Sequence, residues 1–167
     1  NGGVGYAKAA GNYAGSFYPN SLAIEKGFDQ IVWTDSVNHK LVEEAGTMNI
    51  FFRISNKLIT PKHTDTILDG VTRKSVITVA KDSGIDVEIR DIEVSEIIQE
   101  YENGNLTEVF GAGTAAVIAP ISSFGYKEKK YILKDIDDAF GPIIKKRITD
   151  IQNNLTEDKY NWRYQVI

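Results

Sequence analysis

The residue with the greatest reactive potential is Lys8. It ends the run Gly2-Gly3-Val4-Gly5-Tyr6-Ala7-Lys8 and is followed by Ala9, Ala10 and Gly11. Small neighbours let a bulky group approach the amine. A lysine enclosed in this way loses hydration, its pKa falls, and it becomes a nucleophile toward an aldehyde. The plainer alternative is a solvated surface lysine. The glycines lack the spacing and the Ser or Thr of a nucleotide-binding P-loop.

Two other stretches could receive an anion. Gly111-Ala112-Gly113-Thr114-Ala115-Ala116 follows an apolar run and resembles a dinucleotide-binding loop. Pro120 prevents a full helix after it, and no second βαβ element supports that reading. A tight turn between buried segments remains, as does a loop whose backbone N–H groups cup a phosphate or carboxylate. Gly70-Val71-Thr72-Arg73 opens a helix. Helix N-termini favour anions through free N–H groups and the dipole, although Thr72 could simply cap the helix. Two anion cups and one lysine among small residues suit a phosphorylated aldehyde cofactor.

The elements that must position these groups read as a mixed α+β, or irregular α/β, chain. Residues 1–13 read as loop, and 14–27 as helix formers stopping at Gly27. Ile31 to Trp33 suggest a strand, Asp35 to Lys40 a turn, and Met48 to Ile54 a second strand. That strand pairs in a hairpin with Leu58 to Thr60. Thr72 opens a helix with Val76, Ile77, Val79 and Ala80 on one side and Gly84 as its stop. Ile85, Val87 and Ile89 alternate with charged residues as in a half-buried strand. Ser95 can cap a short helix ending at Gly104. Leu106 to Phe110 read as a strand entering the Gly/Ala loop. Pro142 suits the first turn of a helix striped by Ile144, Ile148, Ile151 and Leu155.

At 167 residues the chain can bury one domain-sized core. Its net charge of −4 offers no field for nucleic acid. With no cysteine there is neither a disulfide nor a thiolate metal site, and the two histidines, His39 and His63, are not spaced as metal ligands. No apolar run has the length of a membrane span. A cytoplasmic protein without bound metal is expected. The glycine-rich opening at Asn1, without an initiator methionine, reads as a missing start residue or as a fragment of a longer protein.

Read as whole phrases, the sequence becomes more specific. Ala7-Lys8-Ala9-Ala10-Gly11-Asn12-Tyr13, Leu41-Val42-Glu43-Glu44-Ala45-Gly46-Thr47-Met48-Asn49, Ile67-Leu68-Asp69-Gly70-Val71-Thr72-Arg73 and Glu108-Val109-Phe110-Gly111-Ala112-Gly113-Thr114-Ala115-Ala116 resemble four consecutive motifs of branched-chain aminotransferases. These are fold-type IV enzymes dependent on pyridoxal 5′-phosphate (PLP). Similarity continues through Gly141-Pro142, Asp150-Ile151-Gln152 and Trp162. The phrasing is closer to the eukaryotic-like branch than to D-amino-acid aminotransferases or aminodeoxychorismate lyases.

The resemblance implies a large, C-terminal PLP-binding domain spanning 1–167, with a pseudo-barrel of strands surrounded by helices. Lys8 would carry the cofactor and later move the substrate proton. Glu44 would face the pyridine nitrogen and Tyr13 the ring's phenolic oxygen. Val71, Thr72 and Thr114 would hold the phosphate. The Thr114 and Ala115 amides would receive the substrate carboxylate, and Thr47 would line the site. The expected activity is transamination of leucine, isoleucine or valine with 2-oxoglutarate, in a homodimer. An N-terminal small domain, absent from this chain, would add an arginine to the phosphate.

Two departures stand out. Asp69 replaces the family's usual proline and puts negative charge near the phosphate cup. Ala116 and Ala119 occupy the places of a redox-sensitive cysteine pair in mammalian members. Two alternatives stay open: a sister-family enzyme, and an inactive isolated domain.

Overall fold

A computed structural model describes residues 2–166; Asn1 and Ile167 lie outside them. The elements run α1 (Ala10–Ala14), α2 (Phe17–Glu25), β1 (Val32–Thr34), β2 (Val42–Ala45), β3 (Asn49–Ile54), β4 (Lys57–Thr60), α3 (Val71–Asp82), β5 (Asp86–Ile89), α4 (Val94–Glu102), β6 (Leu106–Gly113), β7 (Val117–Pro120), β8 (Ser123–Tyr126), β9 (Lys129–Ile132) and α5 (Phe140–Gln152). A five-stranded sheet has the order β5-β4-β3-β6-β7, and β1-β2 and β8-β9 form separate ribbons. Only β4 and β5 are parallel in the large sheet. Helix α3 makes their crossover, because parallel neighbours need a long connection.

Strand β3, Asn-Ile-Phe-Phe-Arg-Ile, is buried along its whole length. A continuous rather than alternating apolar run belongs to a strand covered on both faces. Phe51 and Phe110 stack at 5.1 Å between ring centres. With Leu58 and Ile118 they pack on Val76 and Val79 of α3 and Ile144 and Ile148 of α5. On the opposite face Ile50, Phe52, Ile59 and Val109 meet Val42, Ile97 and Phe124. The two ribbons thus extend the strands around this second core.

The exception inside β3 is Arg53. Its guanidinium binds the Asp138 carboxylate at 2.8 Å and lies 4.0 Å from the centre of the Phe140 ring. The β3–β4 hairpin turns at Ser55, whose φ is 54°. No helix among the described residues is long and apolar enough to cross a membrane.

Several local expectations need correction. Residues 10–14, with 10–13 expected as loop, form α1. Strand β2 and the β8–β9 ribbon had no clear sequence signal. Neither Thr72 nor Ser95 caps its helix: Gly70 and Glu93 hold those positions, without side-chain caps. Leu155 lies beyond α5 and is 71% exposed, so the stripe ends at Ile151. Pro142 is the third residue of α5, still in the turn where no N–H is needed. The first amides of that helix are satisfied from afar: Phe140 and Gly141 donate to the Glu108 carboxylate at 2.7 and 2.8 Å.

Candidate active site

Segment 64–70, between β4 and α3, borders the Lys8 loop, Glu44 and the start of α3. The Lys8 loop packs against it: the Tyr6 N–H donates to the Asp65 carbonyl at 3.0 Å. Gly5 is required there, because a Cβ would lie 2.8 Å from Thr66 Cα. Asn12 closes the loop from α1, its amide donating to the Val4 and Ala7 carbonyls at 2.8 and 3.0 Å. Lys8 itself is exposed. Its small neighbours do not enclose it, so the desolvated pocket expected around the amine is not built by this chain's described residues. Tyr13 on α1 is half-buried.

The two glutamates of β2 both bond to this segment. Glu43 accepts the Thr66 hydroxyl at 2.6 Å, and Glu44 accepts the Leu68 N–H at 3.3 Å. Burial pushes the Glu44 carboxyl up to about 7; the Leu68 N–H opposes that rise and the Glu43 charge adds to it. An acid held in this way favours a cationic partner, which would return it to its charged form.

The segment ends at Gly70. The Asn49 amide donates to the Leu68 carbonyl at 2.9 Å and occupies the space that a Gly70 side chain would need. The chain therefore turns tightly into α3. With no side chain capping them, the first amides of α3 at Val71 and Thr72 are available to an anion. Val71 is 66% exposed. Arg73 is turned away: its buried guanidinium donates to the Pro61 carbonyl at 2.8 Å. The Asp69 charge is met by Lys74, which holds the Asp69 carboxyl below its usual range. This neutralising partner lies five residues on and carried no signal of its own.

Thr114 and Ala115 are reached from β6. Contrary to the loop expectation, β6 continues through Gly111, Ala112 and Gly113, and only Thr114–Ala116 turn before β7. The glycines are explained by Met48, which lies across them. A Cβ on Gly111 would sit 2.7 Å from Met48 Cε, and one on Gly113 3.2 Å from Met48 Cγ. The anion cup thus shrinks to an exposed turn at Thr114 and Ala115. Thr47, beside Met48, donates its hydroxyl to Gln30 at 3.2 Å.

Lys8's loop, Glu44 and the start of α3 are therefore joined through one segment, and Thr47 and Thr114 through Met48 and Gly113. Asn12, Asn49 and Gln30 carry no role in the sequence reading; Asn12 and Asn49 stand inside phrases already singled out. A cavity of about 950 Å³ lies elsewhere, among Leu22, Phe28, Ile31, Ile50 and Phe52. Gln30 and Met48 line it, but Lys8, Tyr13, Glu44, Val71, Thr72 and Thr114 do not.

The amino-transferase class IV family matches residues 5–124, and the chain belongs to that family. It is 45% identical over 168 residues to a probable branched-chain-amino-acid aminotransferase of Staphylococcus epidermidis, covering 99% of this chain and 46% of the relative. The chain thus spans about half the length of that relative. The branched-chain amino acid aminotransferase of Escherichia coli superposes with a TM-score of 0.78 at 28% identity, covering 95% of this chain and 50% of that one. The T.th. branched-chain amino acid aminotransferase, solved in complex with N-(5′-phosphopyridoxyl)-L-glutamate, gives 0.79 at 26% identity, over 97% and 51%.

Proposed function

We propose that this chain is the C-terminal, PLP-binding part of a branched-chain amino acid aminotransferase. The observation that carries the reading is segment 64–70, which gathers the Lys8 loop, a half-buried acid and an uncapped helix start. The names of the relatives support the substrate class.

The residues fit the cofactor. Bound here, PLP would supply an electron sink for the charge left at the substrate Cα. Lys8 would hold the cofactor through its amine; once displaced by the substrate's amino group, that amine would move the proton from the substrate Cα to the cofactor's C4′ carbon. Its small neighbours leave room for the ring. Glu44 keeps the pyridine nitrogen protonated: a cation opposite this carboxyl favours the charged pair. Tyr13 hydrogen-bonds the phenolic oxygen. The Val71 and Thr72 amides, with Thr114, take the phosphate. The Thr114 and Ala115 amides receive the substrate carboxylate, and Thr47, tethered to Gln30, lines the site.

The net reaction passes the amino group of leucine, isoleucine or valine to 2-oxoglutarate, giving the branched 2-oxo acid and glutamate. The reading carries with it an N-terminal small domain, a homodimer and a cytoplasmic location. The small domain would supply the phosphate's arginine, since Arg73 is committed to Pro61. The test is a coupled assay on the full-length protein with leucine and 2-oxoglutarate. Turnover supports the reading; activity only on D-alanine or aminodeoxychorismate would move the protein to a sister family.

A further inference from the structure

We propose that Val117 is a positioning residue, held in a strained backbone conformation that fixes the Thr114–Ala116 turn; this rests on the roles given above to Thr114 and Ala115. Val117 has φ 60°. Side chains crowd the backbone in that region, and a β-branched one is a true outlier there. The other non-glycine residues at positive φ among those described are His39, Ser55, Lys127, Asn154 and Asn161, none of them β-branched. The Ile118 N–H donates to the Ala116 carbonyl at 2.7 Å, closing a three-residue turn around Val117. A γ-turn with positive φ is the rare, strained form.

Such a conformation lasts only where its surroundings over-determine it, and here they do. On one side Gly113 pairs with Val117 and Ala112 with Ile118 in the β6–β7 ladder. Met48 presses on Gly113 from outside that ladder. On the other side the Ile118 side chain is 2% exposed, and its carbonyl accepts the Lys145 ammonium from α5 at 3.0 Å. The Val117 side chain packs against the core that holds Phe110, Ile118 and Ile144. Helix α5 is in turn tied to β6 through Glu108.

Both ends of the turn are thus fixed. Thr114 and Ala115 are exposed, and a turn so placed would otherwise sample several shapes. Fixing its ends forces Val117 into positive φ and leaves the Thr114 and Ala115 amides in one arrangement before substrate arrives. Ordering is then not charged to binding.

The test uses the full-length, PLP-loaded protein. Val117→Gly allows either sign of φ and loosens the turn. Val117→Asn keeps a preference for positive φ but loses the apolar packing. In Val117→Gly, Ile118 amide exchange should quicken about tenfold, and KM for leucine should rise by about the same factor, with kcat changed less. Val117→Asn should stay within about threefold of the parent in both. Unchanged exchange and KM in Val117→Gly would overturn the proposal. So would a Val117→Asn as impaired as Val117→Gly, since packing rather than backbone position would then be the cause. If the full-length protein turns over no branched-chain amino acid, the functional reading fails, and Ile118 exchange still decides this one.

Discussion

Glu44→Gln should make the chain more stable, and only at higher pH. In the fold the Glu44 carboxyl is raised from 4.5 to about 7, chiefly by burial. A raised acid prefers its neutral form in the folded state. The fold therefore carries no penalty below about pH 4.5, accumulates one as pH rises, and bears it fully above about 7. A displacement of that size corresponds to about 3 kcal/mol. Glu44 is only partly buried, so solvent screening reduces the expectation to about 1–2 kcal/mol. Glutamine keeps the shape and the acceptor for the Leu68 N–H, but carries no charge to desolvate. Urea unfolding of both chains at pH 4.5 and pH 8 measures this. The variant should match the parent at the lower pH and exceed it by about 1–2 kcal/mol at the higher. Glu108 is also raised by burial, but it is common to both chains and cancels in the difference. A difference independent of pH, or a variant weaker at pH 8, would refute the reasoning.

Three further outcomes are expected. Gly70→Ala should cost about 1–3 kcal/mol, because the methyl group meets the buried Asn49 amide; an unchanged urea midpoint would mean that this turn has slack. Glu108→Ala should cost about 2 kcal/mol by leaving the Phe140 and Gly141 amides without their carboxylate. Glu108→Gln should cost less, and thermal melts would order the three proteins. If a small domain supplies the phosphate's arginine, as proposed above, the 167-residue chain alone should bind PLP about tenfold to a hundredfold more weakly than the full-length protein. Titration followed by visible absorbance measures that ratio, and equal affinities would leave the small domain no part in holding the phosphate.

The legible parts of the fold were those where side chains carry the pattern. The Phe51-Phe52 run, followed by the Asn56-Lys57 turn, reads as a hairpin, and the Val76–Ala80 stripe reads as a helix. Strand β2 is hidden because two of its four residues are Glu43 and Glu44, and its core contacts come from Val42 and Ala45. The β8–β9 ribbon is masked by Lys129 and Lys130 at its exposed edge. Gly111 and Gly113 look like a loop until Met48 is placed across them, and that contact joins distant parts of the chain. At the site, residue types alone raised Lys8, Thr72 and Thr114 as candidates. Glu44 and Tyr13 emerged only through the family resemblance. The part played by residues 64–70 could not be read, because it acts largely through backbone groups of Asp65 and Leu68, which any side chain could carry.

The central claim is that Lys8 carries the cofactor. Borohydride reduction of the full-length protein with PLP, followed by peptide mapping, tests it most directly. A reduced pyridoxyl group is expected on Lys8. Lys8→Ala, still binding PLP through its phosphate contacts, should lose the adduct and essentially all turnover. An adduct on any other lysine, or a Lys8→Ala protein that still transaminates leucine, would contradict the claim.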